Sequence, residues 1–149
     1  MARPHKWDRS QKYQNRPRYL YALLFNNGAC YIGQSVNPEE RVKQHRSPQG
    51  GWAGAQFKMV ALGIVMGTYE DAEQHEFAWR YKANKAGWFI YGKPGVFIDP
   101  YRRLTWKRRT IAWGLTWPKE HRRRLNVGTI LAWLVGAPVA ALIAWQVLT

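Results

Sequence analysis

Two tyrosines, an arginine, a histidine and a glutamate stand in an order that suits cutting a phosphodiester bond: Tyr21, Tyr31, Arg41, His45 and Glu76. Hydrolysis of that bond needs an activated water, a divalent metal to absorb charge, and a cation on the phosphoryl group in flight. Arg41 and His45 are spaced so that both side chains share one face of a helix. A guanidinium there can grip a phosphate with two N–H groups and steady the charge that develops. An isolated Arg-x-x-x-His pair is ordinarily a solvated helix face; this one gains weight by standing in register with Tyr31-Ile32-Gly33. Tyrosine is a poor base at its ordinary pKa of about 10. A nearby cation favours the phenolate, so either tyrosine can deprotonate the attacking water. The expectation leans to Tyr21 as base, with Tyr31 orienting water or phosphate. Without Gly33 and Arg41 both would read as ordinary strand aromatics. Gly33 itself permits a close backbone approach at a strand-to-helix turn. Glu76 lies mid-helix beside Phe77 and Trp79, where a hard cation that keeps much of its water can take a single carboxylate. A lone helical glutamate ordinarily faces solvent, as Glu70 and Glu73 are expected to do.

The elements that must hold these residues are legible locally. Tyr19 to Phe25 is apolar, aromatic and of strand length, and it closes on Asn26-Asn27-Gly28, which suits a tight hairpin turn. Ala29 to Gln34 returns as the second strand. Ser35 or Asn37 can cap a helix whose first turn holds Pro38, Glu39 and Glu40, and Ser47-Pro48-Gln49-Gly50-Gly51 ends it. Gln56 to Met66 reads as a buried third strand with a break at Gly63. A second helix from about Asp71 to Ala86 puts Ala72, His75, Glu76, Trp79 and Ala83 on one face, with Gly87 as its C-terminal cap. Trp88 to Pro100, aromatic with Gly and Pro, suggests a short strand with a turn.

The stretch from Tyr19 to Gly33, followed by Arg41 and His45, resembles the opening of GIY-YIG nuclease domains. Ala72 to Arg80 is similar to the Ala-x-x-x-Glu helix of the same family, and especially to the members that cut branched DNA. The first triplet, Tyr19-Leu20-Tyr21, lacks the glycine of Gly-Ile-Tyr, a variant shared by many small members; His75 replaces an apolar residue. The resemblance covers roughly residues 18–91. It implies an α+β fold with a small antiparallel three-stranded sheet flanked by helices. It also implies a DNA endonuclease using Mg²⁺ or Mn²⁺, with Glu76 as metal ligand, Tyr21, Tyr31, Arg41 and His45 as catalytic partners, and Gly33 as the turn residue. Asn84 stands too close to the glutamate helix to take the polar position some members carry beyond it.

Composition sets the surroundings. With 149 residues there is room for one domain and an appendage. Lys and Arg total 23 against 9 acidic residues, a formal charge of +14, so the natural partner is nucleic acid or an anionic membrane surface. One cysteine, Cys30, excludes an intrachain disulfide and a multi-cysteine zinc site; it reads as a small buried hydrophobe. No secretory signal is visible in Met1 to Arg18. Residues 1–17 are expected as a basic flexible arm, 18–100 as the nuclease-like domain, and 101–126 as a basic, Trp-containing juxtamembrane segment. Residues 127–148, uncharged and apolar over roughly the 20 residues a span needs, are expected to form a transmembrane helix. His121-Arg122-Arg123-Arg124 would hold its leading end, and with it the nuclease domain, on the cytoplasmic side of the membrane. The competing readings are a nuclease fold that binds nucleic acid without cutting it, and a basic membrane-surface protein.

Overall fold

The computed structural model describes residues 12–123. The expected span over 127–148 and residues 1–11 of the basic arm lie outside the described residues. Among the described residues no helix is long and apolar enough to cross a membrane.

One hairpin organises the chain. Strands β1 (Arg16–Phe25) and β2 (Ala29–Ser35) pair antiparallel around Asn26-Asn27-Gly28. Gly28 takes a φ of +85° and Asn27 Oδ1 accepts from the Ala29 N–H at 3.1 Å, so the turn is set by the two residue types most able to set it. Leu20 to Phe25 are all buried, as befits a strand covered on both faces.

Strand β3 (Phe57–Gly67) pairs antiparallel along the other side of β1, from Phe25/Phe57 to Arg16/Gly67. The register shifts between Leu20 and Tyr21, where Leu62 is the extra residue of a bulge beside the expected break at Gly63. The expectation of a buried third strand is corrected: β3 is an outer strand, with Ile64 61% and Met66 68% exposed. Its apolar sequence reads the same in either place.

The three-stranded antiparallel sheet is also corrected. The sheet has five strands in the order β3-β1-β2-β4-β5, and β4 (Phe89–Lys93) runs parallel to β2. A parallel return requires a crossover, and helix α2 (Tyr69–Lys85) supplies it. Strand β5 (Val96–Phe97) folds back antiparallel on β4. Helix α1 (Pro38–Arg46) starts at Asn37, whose Oδ1 accepts from the Glu40 N–H at 3.2 Å. Helix α2 opens with a capping box between Thr68 and Asp71 and closes before Gly87 at φ +94°. A third helix, α3 (Trp106–Gly114), packs along α2.

Two apolar layers result. On the α2 side lie Leu20, Ala22, Leu24, Cys30, Ile32, Trp79, Ile90 and Trp117; on the other lie Tyr21, Leu23, Phe25 and Trp52. Trp117, from the segment expected to be juxtamembrane, is thus part of the core.

Candidate active site

Strand alternation sends Tyr21 and Tyr31 to the face opposite Leu20, Ala22 and Leu24. Tyr21 lies directly across from Gly33, and Leu23 across from Tyr31, so both tyrosines flank the glycine. A side chain at Gly33 would collide with both rings. Helix α1 covers this face and drops His45 between them, edge-on to Tyr21 and Tyr31 with centroids at 5.8 and 5.6 Å. His45 Nε2 stands 2.8 Å from the Tyr21 hydroxyl. Burial, with Arg41 adding to it, pushes the His45 pKa down to about 4, so the ring is neutral near pH 7.

One helical turn earlier, the half-buried Arg41 faces both tyrosine hydroxyls. Its Nη1 donates to Gln44 Oε1 at 2.9 Å, while its buried Nε has no hydrogen-bond partner among the described residues. Burial raises the pKa of Tyr21, Tyr31 adds to the rise, and Arg41 works against it. Tyr31 is raised chiefly by burial and then by Glu76, with Arg41 and Arg80 opposing. Both phenols are therefore neutral in the resting site.

Glu76 projects from the middle of α2 and is only 8% exposed. Its carboxylate accepts from Arg80, one turn on, in an ion pair. Burial lifts its pKa to about 6 in spite of Arg80. Glu76, Tyr31, Arg41, Gln34, Tyr69 and Lys12 line one cleft of about 370 Å³. A neighbouring recess of about 270 Å³ shares Lys12, Gln34, Arg41 and Tyr69 and adds Arg16 and Arg18.

The six residues expected from sequence therefore fall into two tiers. Tyr31, Arg41 and Glu76 line the cleft, whereas Tyr21, only 1% exposed, and His45 stand behind them around Gly33. His75 does not join Glu76, Trp79 and Ala83 in the interior; it is half-exposed, with Nδ1 3.0 Å from the Asp71 carbonyl. Asn84 donates to the Trp88 carbonyl and has no part in the cleft. Sequence reasoning missed Gln34 and Arg80. Gln34 Nε2 donates to the Tyr69 carbonyl at 3.2 Å, and its Oε1 is buried with no hydrogen-bond partner among the described residues. The available signals were adjacency to Tyr31-Ile32-Gly33 for Gln34 and the i,i+4 spacing from Glu76 for Arg80.

Metal-ligand chemistry narrows accordingly. Among the described residues no group of three or more His, Cys, Asp or Glu gathers, which leaves Glu76 as the carboxylate of the cleft.

Comparison with known proteins agrees with this geometry. Residues 17–87 match the GIY-YIG catalytic domain, a nuclease family. A UPF0213 protein of Neisseria meningitidis serogroup A is 42% identical over 48 residues, which are 32% of this chain and 53% of the relative. UPF0213 proteins of serogroups C and B of the same species are 40% identical over the same extent. The chain spans about half the length of the curated relatives it matches. No solved structure matches it. The likenesses support the GIY-YIG superfamily for the stretch that carries the site.

Proposed function

We propose that this GIY-YIG-like domain is a divalent-metal-dependent DNA endonuclease. The observation that carries the proposal is the meeting of Tyr31, Arg41 and Glu76 on one cleft. A cation for the phosphate, a phenol for the water and a carboxylate for a metal are the three things phosphodiester hydrolysis requires.

The donor set fits a hard cation. Glu76 offers a buried carboxylate, and Gln34, which lines the same cleft, carries a neutral amide oxygen with no hydrogen-bond partner among the described residues. Mg²⁺ or Mn²⁺ accepts such oxygens and fills its other positions with water. When bound, the cation would offset the negative charge that builds on the phosphoryl oxygens.

The protein's own groups do the rest. Arg41, whose Nε has no hydrogen-bond partner among the described residues, grips the phosphoryl oxygens and stabilises their developing charge. Tyr31, the tyrosine on the cleft wall, takes the proton from water as a phenolate, after losing its own proton to solvent through the cleft, a state that Arg41 and Arg80 favour against burial. This revises the leaning toward Tyr21, whose hydroxyl is enclosed beside His45. Tyr21 and the neutral His45 hold Arg41 and Tyr31 in place. Arg80 keeps Glu76 ionised near neutral pH by opposing the effect of burial.

DNA is proposed as the substrate on the charge of the whole chain and the recess lined by Lys12, Arg16 and Arg18. Membrane anchoring through residues 127–148 rests on their apolar sequence alone; resistance to carbonate extraction tests it. For the nuclease, the test is cleavage of labelled duplex, nicked and branched DNA with Mg²⁺ or Mn²⁺. Wild-type protein should cut, and Glu76→Ala should bind DNA without cutting it. Failure of the wild type on every substrate, with binding retained, favours a non-catalytic nucleic-acid binder.

A further inference from the structure

The end of the domain that holds Arg123 carries more positive charge than its own contacts use. Helix α2 finishes with Lys82 and Lys85 in its last turn. Residues 115–123 return beside it with Lys119, Arg122 and Arg123 against one acid, Glu120. Lys82, Lys85 and Arg122 line a recess of about 220 Å³ together with Leu115, Thr116 and Trp117. No carboxylate lines it, and none of the three cations has an ion-pair partner among the described residues. Lys85 has ring faces for company instead, with Nζ 5.8 and 5.9 Å from the centroids of Tyr81 and Tyr101. Three like charges around so small a recess repel one another, and an anionic partner offsets that repulsion.

Where the recess stands decides which anions it meets. The Arg123 N–H donates to the Ala86 carbonyl at 2.9 Å, and Arg123 Nη1 donates to the Gly28 carbonyl at 3.0 Å. The chain is thereby tied to the β1–β2 turn and to the end of α2. The uncharged apolar run over 127–148 begins four residues later, a reach of at most about 14 Å. Any apolar phase that takes up this run must lie against this end of the domain. The cleft stands elsewhere: Gln34, on its wall, is six residues on from Gly28, roughly 20 Å of extended strand. A phosphate in the cleft meets Arg41 there, so the three cations of the recess have no part in holding it.

We infer that the end of the domain formed by Lys82, Lys85 and Arg122 is a docking surface for an anionic lipid bilayer, whose headgroup phosphates the three cations take. Basic side chains immediately before an apolar run are the arrangement that an anionic leaflet attracts. The inference goes beyond the nuclease reading and does not depend on it. Docked this way, the domain holds its cleft off the bilayer, open to the aqueous side.

A polarity-sensitive fluorophore on the full chain tests this. Thr116→Cys places a thiol on the recess wall and Glu39→Cys places one on the exposed face of α1, while Cys30 is buried and stays unlabelled. Each labelled protein is titrated with vesicles of phosphatidylcholine, alone or mixed with phosphatidylglycerol. Emission from residue 116 should rise on the mixed vesicles and not on phosphatidylcholine alone, and emission from residue 39 should stay flat on both. Three basic residues at an anionic surface together favour the docked state roughly hundredfold. Replacing Lys82, Lys85 and Arg122 by Gln should therefore abolish the rise at residue 116. Replacing Lys43, Arg46 and Lys107 by Gln lowers the net charge equally and should leave it in place. No rise on mixed vesicles, an equal rise on both kinds, or an equal loss in the two Gln variants overturns the docking surface. A rise at residue 116 with duplex DNA and none with mixed vesicles assigns the recess to nucleic acid and overturns it too. Cleavage of labelled DNA is read separately, so the nuclease reading stands or falls apart from these results.

Discussion

Tyr21 lays its ring across the backbone of Gly33, its cross-strand partner: a Cβ at residue 33 would come within 2.7 Å of the Tyr21 hydroxyl and 2.9 Å of its Cζ. The same Cβ would reach 2.8 Å from Cε1 of Tyr31. The glycine is thus a spacer between the two phenols of the candidate site, and its role is room, not backbone freedom.

Gly33→Ala should therefore act on activity before it acts on folding. Neither ring can swing away, because Tyr21 is buried and His45 lies edge-on to both. Overpacking of this kind costs about 1–3 kcal/mol, which denaturant titration would measure. A displacement of about an ångström in a reacting group costs on the order of a hundredfold in rate. Single-turnover cleavage should fall by that order while the protein stays folded. An unchanged rate would show that the spacing of the two rings is immaterial.

The tyrosines should prove unequal. Tyr31 lines the cleft and Tyr21 does not. Loss of a general base costs on the order of 10²–10⁴-fold, so Tyr31→Phe should lower the single-turnover rate by at least about a hundredfold. Tyr21→Phe removes a hydroxyl that stands 2.8 Å from His45 and should cost about tenfold, the scale of one net hydrogen bond. The reverse order would return the role of base to Tyr21.

What the sequence displayed and what it hid divide along a physical line. The hairpin was legible because Asn27-Gly28 fixes its own turn, and the cap at Asn37 is equally local; the start of α2 was read near Asp71, whereas the capping box places it at Thr68. Position in the sheet was not, because it depends on what packs alongside. The apolar β3 carries no mark of being an edge strand, and the parallel pairing of β4 with β2 is decided by the crossover of α2. In the site, the spacing of Tyr31, Arg41 and His45 marked residues that the fold brings together, Tyr31 and Arg41 on the cleft and His45 edge-on to Tyr31 behind it. The division into cleft wall and supporting tier, and the part of Gln34, needed the burial of each side chain.

On the proposed nuclease reading, acidity should switch cleavage through Glu76. Its folded pKa lies near 6, raised by burial and held down by Arg80. A protonated carboxyl does not ligate a hard cation, so the cleavage rate should climb as pH rises through about 6, with a second rise in alkaline solution as the Tyr31 phenolate, disfavoured by burial, becomes populated. Arg80→Gln removes the group that favours the charged form, so its limb should move to higher pH. Raising Mg²⁺ should move the limb to lower pH, because the cation competes with the proton for the same oxygens. A pH–rate profile that ignores both changes would take Glu76 out of the metal site.

Residues 101–123 should be part of the folding unit. Trp117 is 2% exposed and meets Trp79 of α2 edge-on at 6.1 Å. Its Nε1 and that of Trp88 both donate to the His121 carbonyl, at 3.0 and 2.7 Å. Two indoles thereby pin the chain just beyond the matched stretch, and the Arg123 N–H closes the seam by donating to the Ala86 carbonyl at 2.9 Å. Trp117→Ala should cost about 3–5 kcal/mol, the usual toll of emptying a buried aromatic site, a large part of the stability of a small domain. Trp117→Phe keeps most of the volume, loses the N–H, and should cost less than half as much. Urea unfolding monitored by circular dichroism distinguishes the two outcomes. A loss below about 1 kcal/mol for Trp117→Ala, the range of surface substitutions, would mean that this segment only rests on the domain.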